Sequence, residues 1–166
     1  MNTTSSNDPK FAELPRKVNQ LLKKSKNCAQ TSFGVLDQQF DLHGGPILKA
    51  LTPFPGIALR GETCGAVTGC LMAIGLVYGR EDMGDWKAYL ASLPPCRRFC
   101  RRFAEEYTSL ACADILEREM GHRYDLAERT DAWKYALAGG QRACGKIISS
   151  SVLIAAEIIQ RKLPPE

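Results

Sequence analysis

The sequence predicts an all-α protein: a compact helical bundle with a buried glycine-rich central helix. Three observations carry that expectation. The run from Gly61 to Gly79 is almost wholly small or apolar and ends on a glycine suited to stop a helix. Several other segments repeat apolar residues at helical spacing between proline, glycine or asparagine boundaries. No stretch alternates apolar and polar residues as a half-buried strand does, apart from weak apolar runs that fit helices equally well.

Taken in order, residues 1–9 read as a disordered tail, and residues 10–163 as a single helical domain. Between Pro9 and Lys26 the residues Phe11, Leu14, Val18, Leu21 and Leu22 fall at helical spacing, with Lys23, Lys24 and Lys26 in the last turn. Pro15 suits the start of this helix, where its missing N–H does no harm. Asn27 is a candidate N-cap for a second helix with Phe33, Leu36 and Phe40 inside, broken at His43-Gly44-Gly45-Pro46. Residues 46–60, with Pro46, Pro53, Pro55 and Gly56, read as a loop holding at most one helical turn.

In the 61–79 segment, Gly61, Gly65 and Gly69 recur every four residues and would share one helix face. A glycine inside a helix costs about 1 kcal/mol relative to alanine. Keeping them implies that another backbone or a cofactor comes very close. Thr63 is a candidate cap, and Cys64, at a helix start, is favoured as a thiolate by the positive end of the dipole.

Residues 80–95 read as a connector with a short helix around Trp86–Leu90. Pro94-Pro95 then opens a helix with Cys96, Phe99, Cys100 and Phe103 on one side and Arg97, Arg98, Arg101 and Arg102 on the other, a solvated face. A short helix over 113–119 follows Cys112, and 121–130 is a polar connector. Asp131 caps a segment with Trp133, Tyr135 and Leu137. The last helix spans about 141–162, with Cys144 in its first turn.

Composition narrows the function classes. The chain of 166 residues is long enough for one domain with its own core. A net charge of +4 is too mild to argue for nucleic acid. The polar start Met-Asn-Thr-Thr-Ser-Ser-Asn-Asp lacks the apolar region of a secretion signal, so a cytoplasmic location is expected. The 61–79 run approaches membrane-span length, but its glycines and Glu62 argue against a span. Seven cysteines are an odd number, which excludes a fully paired framework within one chain. In a reducing compartment they serve as metal ligands, catalytic groups or buried apolar residues.

Cys28, Cys64, Cys112 and Cys144 each stand near a predicted helix start. Helix N-termini gathered at one end of a bundle would bring four thiolates into a favourable potential, and iron–sulfur clusters and zinc both accept four cysteines. There is no Cys-x-x-Cys pair of the zinc or ferredoxin kind. Cys70 points to another face, and Cys96 and Cys100 sit beside Phe99 and Phe103, so packing is the expected role of all three. His43 and His122 lie in glycine-adjacent turns, where surface positions are usual. No Ser-His-Asp arrangement, phosphate loop or paired-carboxylate signature is present.

The pattern Asn27-Cys28-Ala29-Gln30, then Gly61-Glu62-Thr63-Cys64-Gly65-Ala66-x-x-Gly69 with Ala73 and Gly75-Leu76, then Leu110-x-Cys112, then Cys144, resembles a family of redox-active proteins named for a Cys, Cys-Gly-Ala-x-x-Gly, Cys, Cys pattern. The resemblance covers roughly residues 15–155. It implies a helical fold and a redox function, with an association to anaerobic microbes. A related domain occurs in split-Soret cytochrome c, a dimeric protein that also carries haem and an iron–sulfur centre. This chain has no Cys-x-x-Cys-His, so covalent c-type haem is not expected.

With the resemblance, the expected function is electron transfer through an iron–sulfur cluster held by Cys28, Cys64, Cys112 and Cys144, with Gly65 beside it. The competing classes are a thiol–disulfide oxidoreductase using Cys64 and a structural zinc module. A redox protein and a second copy of the chain are the expected partners. The dimer is expected to use the glycine face of 61–79 and the apolar end of the last helix, residues 152–159.

Overall fold

The computed structural model describes residues 9–163. The expected tail lies outside these residues except for Pro9, which opens a 3-10 turn, Pro9–Phe11. Nine helices follow among the described residues: α1 (Leu14–Ser25), α2 (Cys28–Phe40), α3 (Gly45–Ala50), α4 (Gly56–Leu59), α5 (Gly65–Tyr78), α6 (Trp86–Tyr107), α7 (Cys112–Met120), α8 (Arg129–Leu137) and α9 (Gly140–Gln160). The described residues form no strand; Thr63 and Ala111 make one isolated antiparallel bridge. The protein is all-α.

Helices α2, α5 and α9 pack on one another at the centre. Helix α1 covers α2 and α9, α6 covers α5 and α9, and α7 and α8 lie against α9. The shared core takes Val18 and Leu22 from α1, Phe33 and Leu36 from α2, Ala66 and Ile74 from α5, Phe99 and Phe103 from α6, and Ile148, Val152 and Ile159 from α9. The amphipathic α1 and α6 bury one face each. Helix α9 buries eleven of its 21 residues, and this explains its apolar sequence. By length and composition α9 could cross a membrane, but more than half of its apolar window is buried in the core.

The glycines of α5 account for the closest helix pair. Gly65 and Gly69 lie against α2. A β-carbon on Gly69 would overlap the Ala29 carbonyl oxygen and come within 2.7 Å of Ser32 Oγ. One on Gly65 would overlap Cys28 Sγ and stand 2.9 Å from the Ala29 nitrogen. The close approach is therefore to another backbone, one of the two alternatives that the spacing leaves open. Gly61 does not share this face. It precedes the helix with φ +78°, and α5 begins at Gly65 with Cys64, not Thr63, at the N-cap. The other side of α5 is open: Met72 and Leu76 are exposed.

Asn27 caps α2, its Oδ1 accepting from the Gln30 N–H at 2.9 Å, while its Nδ2 donates to the Thr52 carbonyl at 3.0 Å. That second bond ties the α2 start to the loop that follows α3. The prolines of 46–60 do not prevent two short helices. Pro46 occupies the first turn of α3. Helix α4 is a single turn in which Gly56, Ile57, Ala58 and Leu59 all have positive φ, from 49° to 64°. Left-handed backbone costs a non-glycine residue about 1–2 kcal/mol. Hydrogen bonds from Ala58 N–H to Pro53 O (2.7 Å) and Leu59 N–H to Pro55 O (2.8 Å) hold it in place.

The expected break at Pro94-Pro95 is absent, and α6 runs through both prolines. Each proline removes one intrahelical bond. Leu90 and Ala91, four residues back, are exposed, so water can serve their carbonyls, and the Ser92 hydroxyl donates to Tyr89 O. The arginine face is not uniformly solvated. Arg102 pairs with Glu157 of α9 at 2.7 Å, each side chain 23% exposed. Asp131 does not cap α8; Glu128 does, accepting from the Asp131 N–H.

Candidate functional site

The sequence places Cys28 as the first residue of α2, Cys64 as the N-cap of α5, Cys112 as the first residue of α7 and Cys144 in the second turn of α9. The fold gathers these helix starts. Cys64 and Cys112 are joined across the Thr63–Ala111 bridge: Cys64 N–H donates to Leu110 O at 2.8 Å, Cys112 N–H to Glu62 O at 2.6 Å, and Ala113 N–H to Gly61 O at 3.0 Å. Cys28 Sγ lies against Gly65, immediately after Cys64. Tyr135 of α8 reaches Cys144 Sγ with its hydroxyl at 2.9 Å.

Cys28, Cys112 and Cys144 line one cavity of about 280 Å³. Its wall is otherwise mainly apolar, with Leu22, Pro55, Leu59, Leu126 and Tyr135, and it contains no carboxylate or histidine. Lys26 is the one charged side chain on it, with Nζ hydrogen-bonded to Gln141 Oε1. Cys64 does not line this cavity, but negative charge on Cys64 would act on Cys28 and Cys112, and charge on Cys144 on Cys64. Among the described residues, no group of three or more His, Cys, Asp or Glu side chains is drawn together tightly enough to hold a metal ion as it stands.

Electrostatics overturns the expectation of a low-pKa Cys64. Burial pushes its thiol up to about 12, with the charge of Cys144 adding to the rise, although N–H groups of Ala66 and Val67 pull the other way. Burial likewise raises Cys28 and Cys112, with the other thiols of the set adding to it, and raises Cys144 against the downward pull of the Tyr135 hydroxyl. Loss of hydration is the largest effect at each. Without a cation, these thiols stay neutral at physiological pH.

The remaining cysteines lie elsewhere. Cys70 is fully buried on α5 and part of the core. Cys96 and Cys100 form a half-exposed i,i+4 pair on α6, and neither lines the cavity. His43 is exposed beside Asp41, and His122 stands edge-on to Tyr124, so neither histidine reaches the thiols. Gly65 is buried between Cys28, Ala29 and Pro55 rather than facing open space. Sequence reasoning missed Tyr135 as a site residue. The signal was the Gly139-Gly140 pair, which lets α8 fold back on the start of α9: a β-carbon at Gly140 would overlap the Tyr135 ring.

Residues 26–158 match the family described as "Putative redox-active protein (C_GCAxxG_C_C)". The chain belongs to that family, whose defining pattern holds four cysteines, the number that the fold draws to one end. The family's name writes the central stretch as GCAxxG; in this chain that stretch is Cys64-Gly65-Ala66-Val67-Thr68-Gly69. Here the order matters, because a side chain at position 65 would collide with Cys28 Sγ. No curated protein and no solved structure matches the chain.

Proposed function

We propose that this protein is a small electron-transfer protein that holds an iron–sulfur cluster on Cys28, Cys64, Cys112 and Cys144. The observation that carries the proposal is the convergence of four cysteine-bearing helix starts, three of them lining one cavity that offers sulfur and no carboxylate or imidazole, with Cys64 just behind it. Thiolate donors select iron–sulfur clusters, zinc or monovalent copper over harder ions. The raised thiol pKa values support the same reading: four mutually repelling sulfurs become thiolates together only when a cation neutralises them. When bound, a cluster supplies one-electron exchange without breaking bonds. The chain's part is to keep water away with Leu22, Leu59 and Leu126 and to offer N–H donors to sulfur at the start of α5.

Two observations favour the cluster over its competitors. A single tetrahedral zinc needs its sulfurs about 2.3 Å from the ion, hence roughly 3.8 Å apart. The cavity, about 280 Å³, has room for a group larger than a single ion. A thiol–disulfide oxidoreductase needs an accessible thiolate at its nucleophile. Cys64 is buried with its pKa pushed up to about 12.

A redox protein is the proposed partner, and the cytoplasm the proposed site of action. A homodimer is proposed too, on a different surface from that expected. Gly65, Gly69, Val152 and Ile154–Ile159 are largely consumed within the chain, whereas Leu76, Met83, Trp86 and Leu90 around the α5–α6 connection are exposed. Anaerobic purification with iron, acid-labile sulfide and zinc analysis tests the central claim. A brown protein with matched iron and sulfide is expected; a colourless protein with one zinc or no metal overturns it.

A further inference from the structure

We infer that Tyr135 is a positioning residue for Cys144, holding its sulfur by a hydrogen bond and setting how much negative charge that sulfur carries. The inference rests on the electron-transfer reading above. The Tyr135 hydroxyl stands 2.9 Å from Cys144 Sγ. Among the described residues, no other side chain hydrogen-bonds to any of the four sulfurs. Cys64 is served by backbone N–H groups of Ala66 and Val67 instead.

The direction of the bond follows from chemistry. A thiolate has no proton, so once Cys144 is ionised or bound, only the tyrosine can donate. The donor is well seated. Tyr135 is ring-packed edge-on against Tyr124 at 5.7 Å, Tyr124 is itself 9% exposed, and His122 closes the outer side at 4.6 Å from Tyr124. On the other side its ring occupies the space over Gly140 that any β-carbon would fill. The ring thus lies on the first residue of the helix that carries Cys144, and the hydroxyl points down that helix to the sulfur. A donor to a bound thiolate draws charge from it and stabilises the more negative, reduced state, so it raises the reduction potential.

The test is Tyr135→Phe in the full chain, which keeps the ring and removes the hydroxyl. In metal-free protein, the Raman S–H stretch of one thiol is expected to shift in Tyr135→Phe. The same change made in a Cys144→Ser background is expected to leave the band unmoved. In metal-loaded protein, the midpoint potential is expected to move to a more negative value with iron and sulfide content unchanged. Gly140→Ala keeps every polar group but crowds the ring, and is expected to move both readouts in the same direction. An unmoved S–H band, or an unmoved potential in loaded protein, overturns the inference, as does a shift that survives in the Cys144→Ser background. A wild-type protein that never carries iron defeats the electron-transfer reading, and the Raman measurement still decides whether Tyr135 holds Cys144.

Discussion

Cys28 Sγ rests against the α-carbon of Gly65, in the space a β-carbon there would occupy. One contact thus joins the first residue of α2 to the first residue of α5. It fixes two of the four cysteine-bearing helix starts relative to each other, and it does so through the absence of a side chain.

The glycines of α5 are expected to respond in opposite directions. Gly69→Ala forces a methyl into the Ala29 carbonyl and Ser32, and overpacking of this kind costs about 1–3 kcal/mol. Gly75 has nothing within 4 Å of its added β-carbon, so Gly75→Ala is expected to gain roughly 0.5–1 kcal/mol from helix propensity alone. Urea denaturation of the two variants reads both signs. A stable Gly69→Ala would mean that α2 and α5 do not meet as described.

Substitution of the cysteines is expected to separate two sets. Serine at 28, 64, 112 or 144 supplies a harder, more basic donor, so iron and sulfide content should fall sharply. Serine at 70, 96 or 100 should leave that content intact in folded protein, with a stability cost of about 0.5–3 kcal/mol, largest at the fully buried Cys70. Retention of iron in Cys28→Ser or Cys144→Ser, with loss in Cys96→Ser or Cys100→Ser, would move the ligand set to α6.

The metal-free protein is expected to weaken in alkali. The folded Cys64 thiol is raised from 9.0 to about 12, so the folded state favours the protonated form. The stability this contributes is complete below pH 9 and is lost as pH climbs from there towards 12. Denaturation midpoints between pH 7 and 11 should decline on the alkaline side, and Cys64→Ala should flatten that decline. At pH 7.5 the half-exposed Cys96 and Cys100 should alkylate before Cys64. Fast labelling of Cys64 in folded protein would return the thiol enzyme to consideration.

Self-association is expected through the exposed apolar side chains around the α5–α6 connection. Light scattering should give twice the 18.3 kDa chain mass, and Trp86→Ser with Leu90→Ser should lower it. A monomer mass for the unsubstituted protein at high concentration rules the dimer out.

Much of this was legible in the sequence because it depends on local rules. Helical spacing, the Asn27 cap, Pro15 in the first turn of α1 and the Gly79 stop each act within a turn or two of chain. The glycine spacing of 65 and 69 announced a close neighbour, and the four cysteines were legible near helix starts.

Tertiary structure decided which neighbour and which electrostatics. That the neighbour is α2 follows from packing between segments more than thirty residues apart. Proline rules predicted a break at 94–95, but Leu90 and Ala91 are exposed, so water can serve the carbonyls that lose a partner, and α6 continues. The dipole at Cys64 predicted a lowered pKa, but dipole strength is a local property and burial is not. Only the assembled core removes the water that a thiolate needs, and it raises all four thiols together. The Tyr135–Cys144 contact has the same origin. The sequence by itself determined the cysteines and the helices that carry them; the fold determined which of them meet, and in what dielectric.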